Sequence, residues 1–140
     1  MNMKSFLKSN AIAMEEQEFV VSNRFVDDDG NAIAWKIRVL GNDEIESIER
    51  ACRKKEFVKG TSEYKYQTDK NKMQAQMICA AVVEPNLNDT ELQESYGTIG
   101  AEATVKAMLT PGEYTDLANA VAQVAGFQVG MNDKIKTAKN

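Results

Sequence analysis

The chain has 140 residues, of which 43% are hydrophobic and 27% charged, with a formal net charge of -4. This composition fits one globular domain, and the acidic balance argues against a nucleic-acid binder, which needs a clustered excess of Lys and Arg. Because the chain contains no histidine, nucleophilic catalysis with a histidine base is excluded, and two cysteines are too few for a zinc site of about four ligands.

The first ten residues predict a short helical turn around Met3–Leu7 and show no signal peptide. No segment approaches the roughly 20 apolar residues of a membrane span. We therefore expect a cytoplasmic protein without a membrane partner. There Cys52 and Cys79 are expected to be reduced and to pack as small hydrophobes, although a disulfide stays open.

Two runs of alternating residues flank an Asp-rich turn and predict a β-hairpin. The first run extends from Glu18 to Phe25, and the second places Ile33, Trp35, Ile37 and Val39 on one side. A calcium loop centred on Gly30 would put Phe25 and Lys36 at ligand positions, and neither side chain coordinates a hard cation. A solvated turn is the better interpretation.

A helix capped by Asn42 or Asp43 is predicted next, with Ile45, Ile48 and Cys52 on one face and with the basic residues 53–55 in its last turn. Between residues 57 and 67 the pattern is ambiguous, with a turn at 59–62 and strand-like alternation at Tyr64 and Tyr66.

The second half of the chain predicts a series of helices. The first of them runs from residue 68 or 69 to Val83, with Met73, Met77, Ala80 and Ala81 inward, and Pro85 stops it. Two shorter helices are predicted at 90–96 and 101–109, and Val105, Met108 and Leu109 are the apolar residues of the latter.

The clearest local signal in the chain is the segment 110–113. Thr110 is the predicted N-cap, Pro111 takes the first helical position and Glu113 closes a capping box. The helix that follows carries Leu117, Val121 and Val124 on one face and ends at Gly126. The fold expected is α+β: a mainly helical single domain, residues 1–127, with an N-terminal antiparallel β-hairpin packed on four to five helices. Residues 128–140 are expected to form a flexible polar tail.

Methionine is frequent, with seven residues. Core packing is the favoured interpretation of Met73, Met77 and Met108, and an adaptable binding groove stays open as the alternative. The residues therefore indicate a protein-binding module, with no enzymatic activity, cofactor, metal or small-molecule substrate expected.

Three patches of sequence, in order, carry a further signal: Ser22–Phe25 with Asp29-Gly30 and Trp35–Arg38; Pro85–Asp89 with Glu91–Gln93 and Ser95–Gly97; and Met108–Tyr114 with Leu117 and Gly126-Phe127. Taken together, they resemble the XkdN-like tail assembly chaperones of contractile-tailed phages and defective prophages. The likeness covers roughly residues 3 to 127, and its motifs are turn, cap and core residues.

The resemblance implies a non-enzymatic assembly factor that binds the long tape-measure protein and keeps it soluble while the tail is built. A structural tail or baseplate component retained in the particle is the alternative. Self-association stays open, and a small enzyme that uses carboxylates is the hypothesis from another class. The predicted partner-binding residues are the apolar side chains near the C-terminal end: Phe127, Val129, Met131 and Ile135.

Overall fold

The first hairpin follows an exposed N-terminal segment that holds one 3-10 helix, Met3–Phe6. In the computed structural model, which describes residues 2–127, strand β1 (Gln17–Phe19) pairs antiparallel with β2 (Trp35–Ile37). The predicted hairpin is confirmed, but its regular ladder is shorter than the alternation suggests. A single further bridge, Val26 to Ala32, continues the pairing towards the turn.

The turn of this hairpin is closed by the Asp27 carboxylate. Its Oδ1 atom accepts the backbone N–H groups of Asp29 and Asn31, both at 2.9 Å, and Gly30 adopts a φ of +82°. This is the local Asx-type bonding for which Asp is favoured in turns.

The remaining elements follow β2 in chain order. They are α1 (Asn42–Ala51), β3 (Arg53–Phe57), β4 (Tyr64–Thr68), α2 (Lys70–Ala81), β5 (Val82–Glu84), α3 (Thr90–Ser95), α4 (Ala101–Met108) and α5 (Pro111–Val124). Strands β1, β2 and β5 form one antiparallel sheet in that order, while β3 and β4 form a separate two-stranded sheet. The predicted α+β class, with an N-terminal hairpin and five helices, is confirmed.

The basic residues 53–55 were predicted to end the first helix, and this was wrong. The helix ends at Ala51, and Arg53 opens strand β3, which pairs with β4 from Arg53↔Thr68 to Phe57↔Tyr64. The Cys52 carbonyl accepts the Asp69 N–H at 2.8 Å and closes the base of this second hairpin. Arg and Lys are good helix formers, but pairing with a partner strand decides their conformation here.

The predicted end of the next helix at Val83 was also wrong. Helix α2 ends at Ala81, and Val82–Glu84 forms β5 against β2. Val82 and Val83 are β-branched and suit a strand, and Pro85 disfavours the α conformation at Glu84. The predicted N-terminal boundary holds, since the Asp69 side chain accepts the Lys72 N–H at 3.2 Å.

The core lies between the three-stranded sheet and helices α2, α4 and α5. Its buried apolar residues are Trp35, Ile37, Leu40, Ile78, Ala81, Val82, Leu87, Val105, Met108, Leu109, Leu117, Ala120, Val121 and Val124. Trp35 and Ile37 of the hairpin and the predicted apolar residues of α4 and α5 are among them, whereas Ile33 is 48% exposed and Val39 is half-buried. Helix α2 differs from its prediction: Ala75, Ile78 and Ala81 are buried, whereas Met73, Met77 and Ala80 are only half-buried.

Two arginines at either end of the first hairpin tie it to helix N-termini. Arg38 makes a bidentate ion pair with Glu44 of α1 and donates through Nε to the Ala80 carbonyl at 2.9 Å. Glu44 also accepts the Gly41 N–H at 3.1 Å, so Gly41, and not Asn42 or Asp43, is the N-cap. Arg24 pairs with Glu113 of α5 through a single contact, Nη2 to Oε1 at 2.6 Å. The hairpin is thereby held against the N-termini of α1 and α5.

Candidate functional site

An open apolar groove of about 370 Å³ lies beside Trp35, where the first hairpin meets β5 and helices α3 and α4. This Trp35 groove is lined by Phe25, Ile33, Ala34, Trp35, Glu84, Pro85, Leu92, Tyr96 and Met108. Trp35 and Met108 are buried and form its floor, while Ile33, 48% exposed, and Tyr96, 37% exposed, stand at its rim. A rim of this kind presents apolar side chains to a partner without opening the core.

Aromatic and cationic contacts fix the wall that the hairpin contributes. The rings of Phe25 and Trp35 lie 6.0 Å apart, centroid to centroid, at 46°. Arg24 stands over the Phe25 ring at 5.3 Å and donates to the Met108 carbonyl at 2.7 Å. Because one guanidinium contacts both the hairpin and the end of α4, it fixes the position of the two sides of the groove relative to each other.

The predicted capping box at the start of α5 supports this arrangement. Thr110 Oγ1 accepts the Glu113 N–H at 3.2 Å, and Glu113 Oε1 accepts the Thr110 N–H at 2.9 Å. The same carboxylate oxygen lies 2.6 Å from Arg24 Nη2. The Arg24 guanidinium, with the Ser22 hydroxyl and the Thr110 N–H, lowers the pKa of Glu113 to about 2.

Polar chemistry inside the Trp35 groove is sparse. Glu84 is the one ionisable carboxylate among its lining residues, and Lys36 Nζ lies 3.7 Å from its Oε1 atom. Small-molecule sites are mostly apolar and use a few placed polar groups to orient the ligand. The lining of this groove offers mainly apolar contact surface and few such groups.

A second groove, of about 280 Å³, lies between α2 and α5. This methionine groove is lined by Lys70, Met73, Gln74, Met77, Ile78, Ala118, Asn119, Val121 and Ala122. Met73 and Met77 were predicted to point inward, but both are half-buried and line this groove, while Ile78 of the same helix is fully buried. Flexible thioether side chains in such a position adapt to apolar partners of different shape.

The residues predicted to bind the partner lie near the end of α5. Phe127 donates its N–H to the Ala122 carbonyl at 2.9 Å, and Gly126 donates to Gln123 at 3.0 Å, which is the Schellman pattern of a helix C-terminus. The Phe127 side chain is 56% exposed. Val129, Met131 and Ile135 lie outside the described residues, so the structure does not test them.

Sequence reasoning treated the residues of the Trp35 groove as turn, cap and core positions and did not assign them to a surface. All three sequence patches that carry the family resemblance nevertheless meet there. Phe25 and Trp35 come from the first patch, Leu92 and Tyr96 from the second, and Met108 from the third. Their convergence was not visible from spacing, because it depends on how β5 and α3 return to the hairpin.

The cysteine thiols and the possible metal ligands of the described residues show no reactive arrangement. Both cysteines are free, and burial raises the pKa of the Cys79 thiol to about 11, so it is protonated at neutral pH. Residues 2–127 contain no group of three or more Cys, Asp or Glu side chains arranged to hold a metal ion. Across that same range, none of the helices has the length and apolar character needed to cross a membrane.

The structure is a single α+β domain with two open apolar grooves, and comparison with known proteins identifies its family. The model of the phage XkdN-like tail assembly chaperone proteins matches residues 3–139, and this chain belongs to that family. The match reaches further along the chain than the three sequence patches do.

Two relatives come from Bacillus subtilis strain 168. The uncharacterized protein YqbN is 29% identical over 99% of this chain and 93% of its own length. The phage-like element PBSX protein XkdN is 26% identical over 99% of this chain and 94% of its own length. The crystal structure of YqbN superposes with a TM-score of 0.75 at 26% identity, covering 91% of this chain and 98% of that one.

Proposed function

We propose that this chain binds the tape-measure protein during tail morphogenesis, in the cytoplasm of the bacterial host, as a non-enzymatic holding chaperone. The observation that carries the proposal is the Trp35 groove, an open apolar surface built from all three patches that resemble the family. Exposed apolar surface of this kind commonly marks a protein-interaction site. An aggregation-prone partner would bury its apolar side chains there instead of against another copy of itself.

The size of the groove suits repeated, weak contacts. Burial of one Leu or Phe side chain contributes about 1.5–3 kcal/mol, so a groove of about 370 Å³ holds a short apolar segment without trapping it. The methionine groove adds a second, adaptable surface of similar character. A chaperone that must release its client when the tail tube forms needs such modest affinity.

We also propose that the chain end contributes to the same client, with Phe127, Val129, Met131 and Ile135 as contact residues and with residues 1–127 as the domain that carries them. This part of the proposal is supported by the alternation of apolar and polar residues in the sequence and by the exposed side chain of Phe127.

The largest shifts in carboxyl pKa have structural causes, which supports a non-enzymatic role. The pKa values of Glu44 and Glu113 are both lowered to about 2, first by their hydrogen bonds to Arg38 and Arg24, respectively. These glutamates cap two different helices, and a lowered pKa is the opposite of what a general acid needs.

The test is co-expression with the tape-measure protein encoded in the same gene cluster, measuring the soluble fraction of that protein. The chain is expected to increase it, and Ile33→Asp at the rim of the Trp35 groove is expected to remove the increase. Ile99→Asp is the matched control, because Ile99 is 94% exposed and does not line the groove.

A tape-measure protein that is equally insoluble with and without the chain would contradict the proposal. So would the chain's presence at fixed stoichiometry in purified particles, which is the result expected for a structural tail or baseplate component. Equal behaviour of the Ile33→Asp and Ile99→Asp variants would remove the Trp35 groove as the binding surface.

A further inference from the structure

The second hairpin, residues 53–68, stands out from the rest of the fold because both of its faces are exposed. All ten ladder residues except Thr68 are solvent-exposed, and none of them belongs to the core cluster. It is attached at its base through the Cys52–Asp69 backbone bond and the Lys54–Asp69 ion pair at 3.2 Å. Two-stranded hairpins in water are only marginally stable on their own, so a partner that covers this one would stabilise it.

One face of the second hairpin combines aromatic and basic side chains. The cross-strand register places Phe57 opposite Tyr64 and Lys55 opposite Tyr66, with Arg53 nearest the base. The Phe57 and Tyr64 rings meet edge to face with centroids 5.4 Å apart, and Lys55 Nζ lies 3.9 Å from the Tyr64 ring centroid. Aromatic residues and Arg are the types enriched in the centres of protein interfaces.

The charge of the hairpin is opposite to that of the whole chain. Residues 53–68 contain five basic and two acidic side chains, a net +3 in a chain of net -4. The surface therefore fits an acidic, partly apolar partner. Among residues 2–127, β3 and β4 pair only with each other, so each strand has an outer edge without a partner there, and such edges accept an additional extended strand.

The chain contains a segment with these complementary properties. The N-terminal arm, residues 2–16, is exposed throughout, and its backbone hydrogen bonds are local to the arm itself. Its final part, residues 12–16, has no regular secondary structure and carries two exposed apolar side chains, Ile12 and Met14, followed by Glu15 and Glu16. Alternate residues of an extended strand share a face, so this segment, added to a sheet as a strand, would place Ile12, Met14 and Glu16 on one face.

We infer that residues 11–16 of one copy dock on the second hairpin of another copy, as an added strand antiparallel to β3. In this alignment Glu16 lies beside Lys55 and Met14 beside Phe57, so the apolar end meets the rings at the tip and the acidic end meets the cations nearer the base. Reciprocal exchange gives a dimer, and a one-way contact gives longer assemblies. The inference does not depend on the identity of the client.

The test is sedimentation of the full chain across a range of concentrations at low and high salt. Association is expected at low salt and is expected to weaken as salt screens the charges. Glu16→Lys or Lys55→Glu is expected to weaken association by about fivefold or more, because these two side chains lie side by side in the alignment and their attraction becomes repulsion. The control, Glu46→Lys, makes the same charge change as Glu16→Lys at an exposed position outside both surfaces.

Exchanging the charges of the arm and the hairpin makes the test specific to the contact between these two surfaces. A mixture of the Glu16→Lys and Lys55→Glu chains is expected to associate, and a chain carrying both substitutions is expected to regain self-association. A chain that stays monomeric at every concentration would overturn the inference, as would association that ignores both reversals. A monomer whose hairpin variants lose only tape-measure solubilisation would assign the surface to the client instead. Circular dichroism of each variant shows whether the fold is retained.

Discussion

The two β-hairpins of this chain share a motif but differ in what stabilises them. The first buries Trp35 and Ile37 in the core and gains β5 as a third strand. The second carries Phe57, Tyr64 and Tyr66 on an exposed face, and its two strands pair with each other and not with the three-stranded sheet. Aromatic content therefore does not decide burial here. Packing against the helices makes the first hairpin part of the scaffold, and its absence leaves the second available to a partner.

The largest expected effect separates the two hairpins by stability. Ile37 is fully buried, and Ile37→Ala is expected to lower the free energy of unfolding by about 2–5 kcal/mol through lost burial and a residual cavity. Phe57→Ala in the second hairpin removes a larger side chain that is 60% exposed and is expected to cost less than about 1 kcal/mol. Urea unfolding followed by the fluorescence of Trp35, the single tryptophan, measures both. Equal losses would show that the second hairpin is packed after all.

A smaller effect is expected at the anchor of the first hairpin. Thr110→Ala removes the side-chain acceptor of the Glu113 N–H and is expected to cost about 1 kcal/mol of stability. Thr110→Ser keeps the hydroxyl and is the matched control, so it should retain most of the parent stability. A Ser variant as unstable as the Ala variant would indicate that the methyl group of Thr110, and not its cap bond, matters.

The sequence predicted those parts of the fold whose signals are local. The Asp/Gly turn, the Thr110–Glu113 capping box and the buried stripe of α5 each depend on residues a few positions apart, and all are present in the structure. Strand β3 was missed because its basic residues favour a helix unless Tyr64–Thr68 pairs with them. Strand β5 was missed because Val82 continues the apolar pattern of α2.

The candidate site was harder to predict than the fold. The Trp35 groove joins residues from Phe25 to Met108, distant in sequence, and its existence depends on the return of β5 to the hairpin. The residues predicted instead, Phe127, Val129, Met131 and Ile135, were selected because no core role was evident for them. Of these four, Phe127 is described, and it is exposed at the end of α5. Apolar residues without a core role are easily recognised at a chain end, whereas a groove is formed by residues that are distant in sequence.

The anchors of the first hairpin should also make it sensitive to acid. The pKa of both Glu44 and Glu113 is about 2 in the folded chain, below their ordinary value of 4.5. Their stabilising effect is therefore present above about pH 4.5 and is lost as the pH falls towards 2, because protonation breaks the pairs with Arg38 and Arg24. The effect is modest, since solvent screens exposed pairs.

The variant with Glu44→Gln and Glu113→Gln tests this cause. Gln retains a side-chain acceptor for the helix cap but does not titrate. The melting temperature of the variant should therefore fall less steeply than that of the parent chain between pH 4.5 and 2. Thermal unfolding at a series of pH values provides the measurement. Parallel curves for the two chains would contradict the assignment of acid sensitivity to these two carboxyls.

The smallest effect on stability is expected in the second hairpin, where function and folding should separate most cleanly. Tyr66 is 66% exposed, so Tyr66→Ser is expected to change the free energy of unfolding by less than about 0.5 kcal/mol. The same variant should weaken self-association, because Tyr66 lies opposite Lys55 on the proposed docking face. Tyr96→Ser, at the rim of the Trp35 groove, is the matched change on the other surface, and it should leave self-association unchanged while reducing the soluble fraction of the tape-measure protein. If both variants affected the same property, the two surfaces would not act independently, and the contrast between the two hairpins would be one of stability alone.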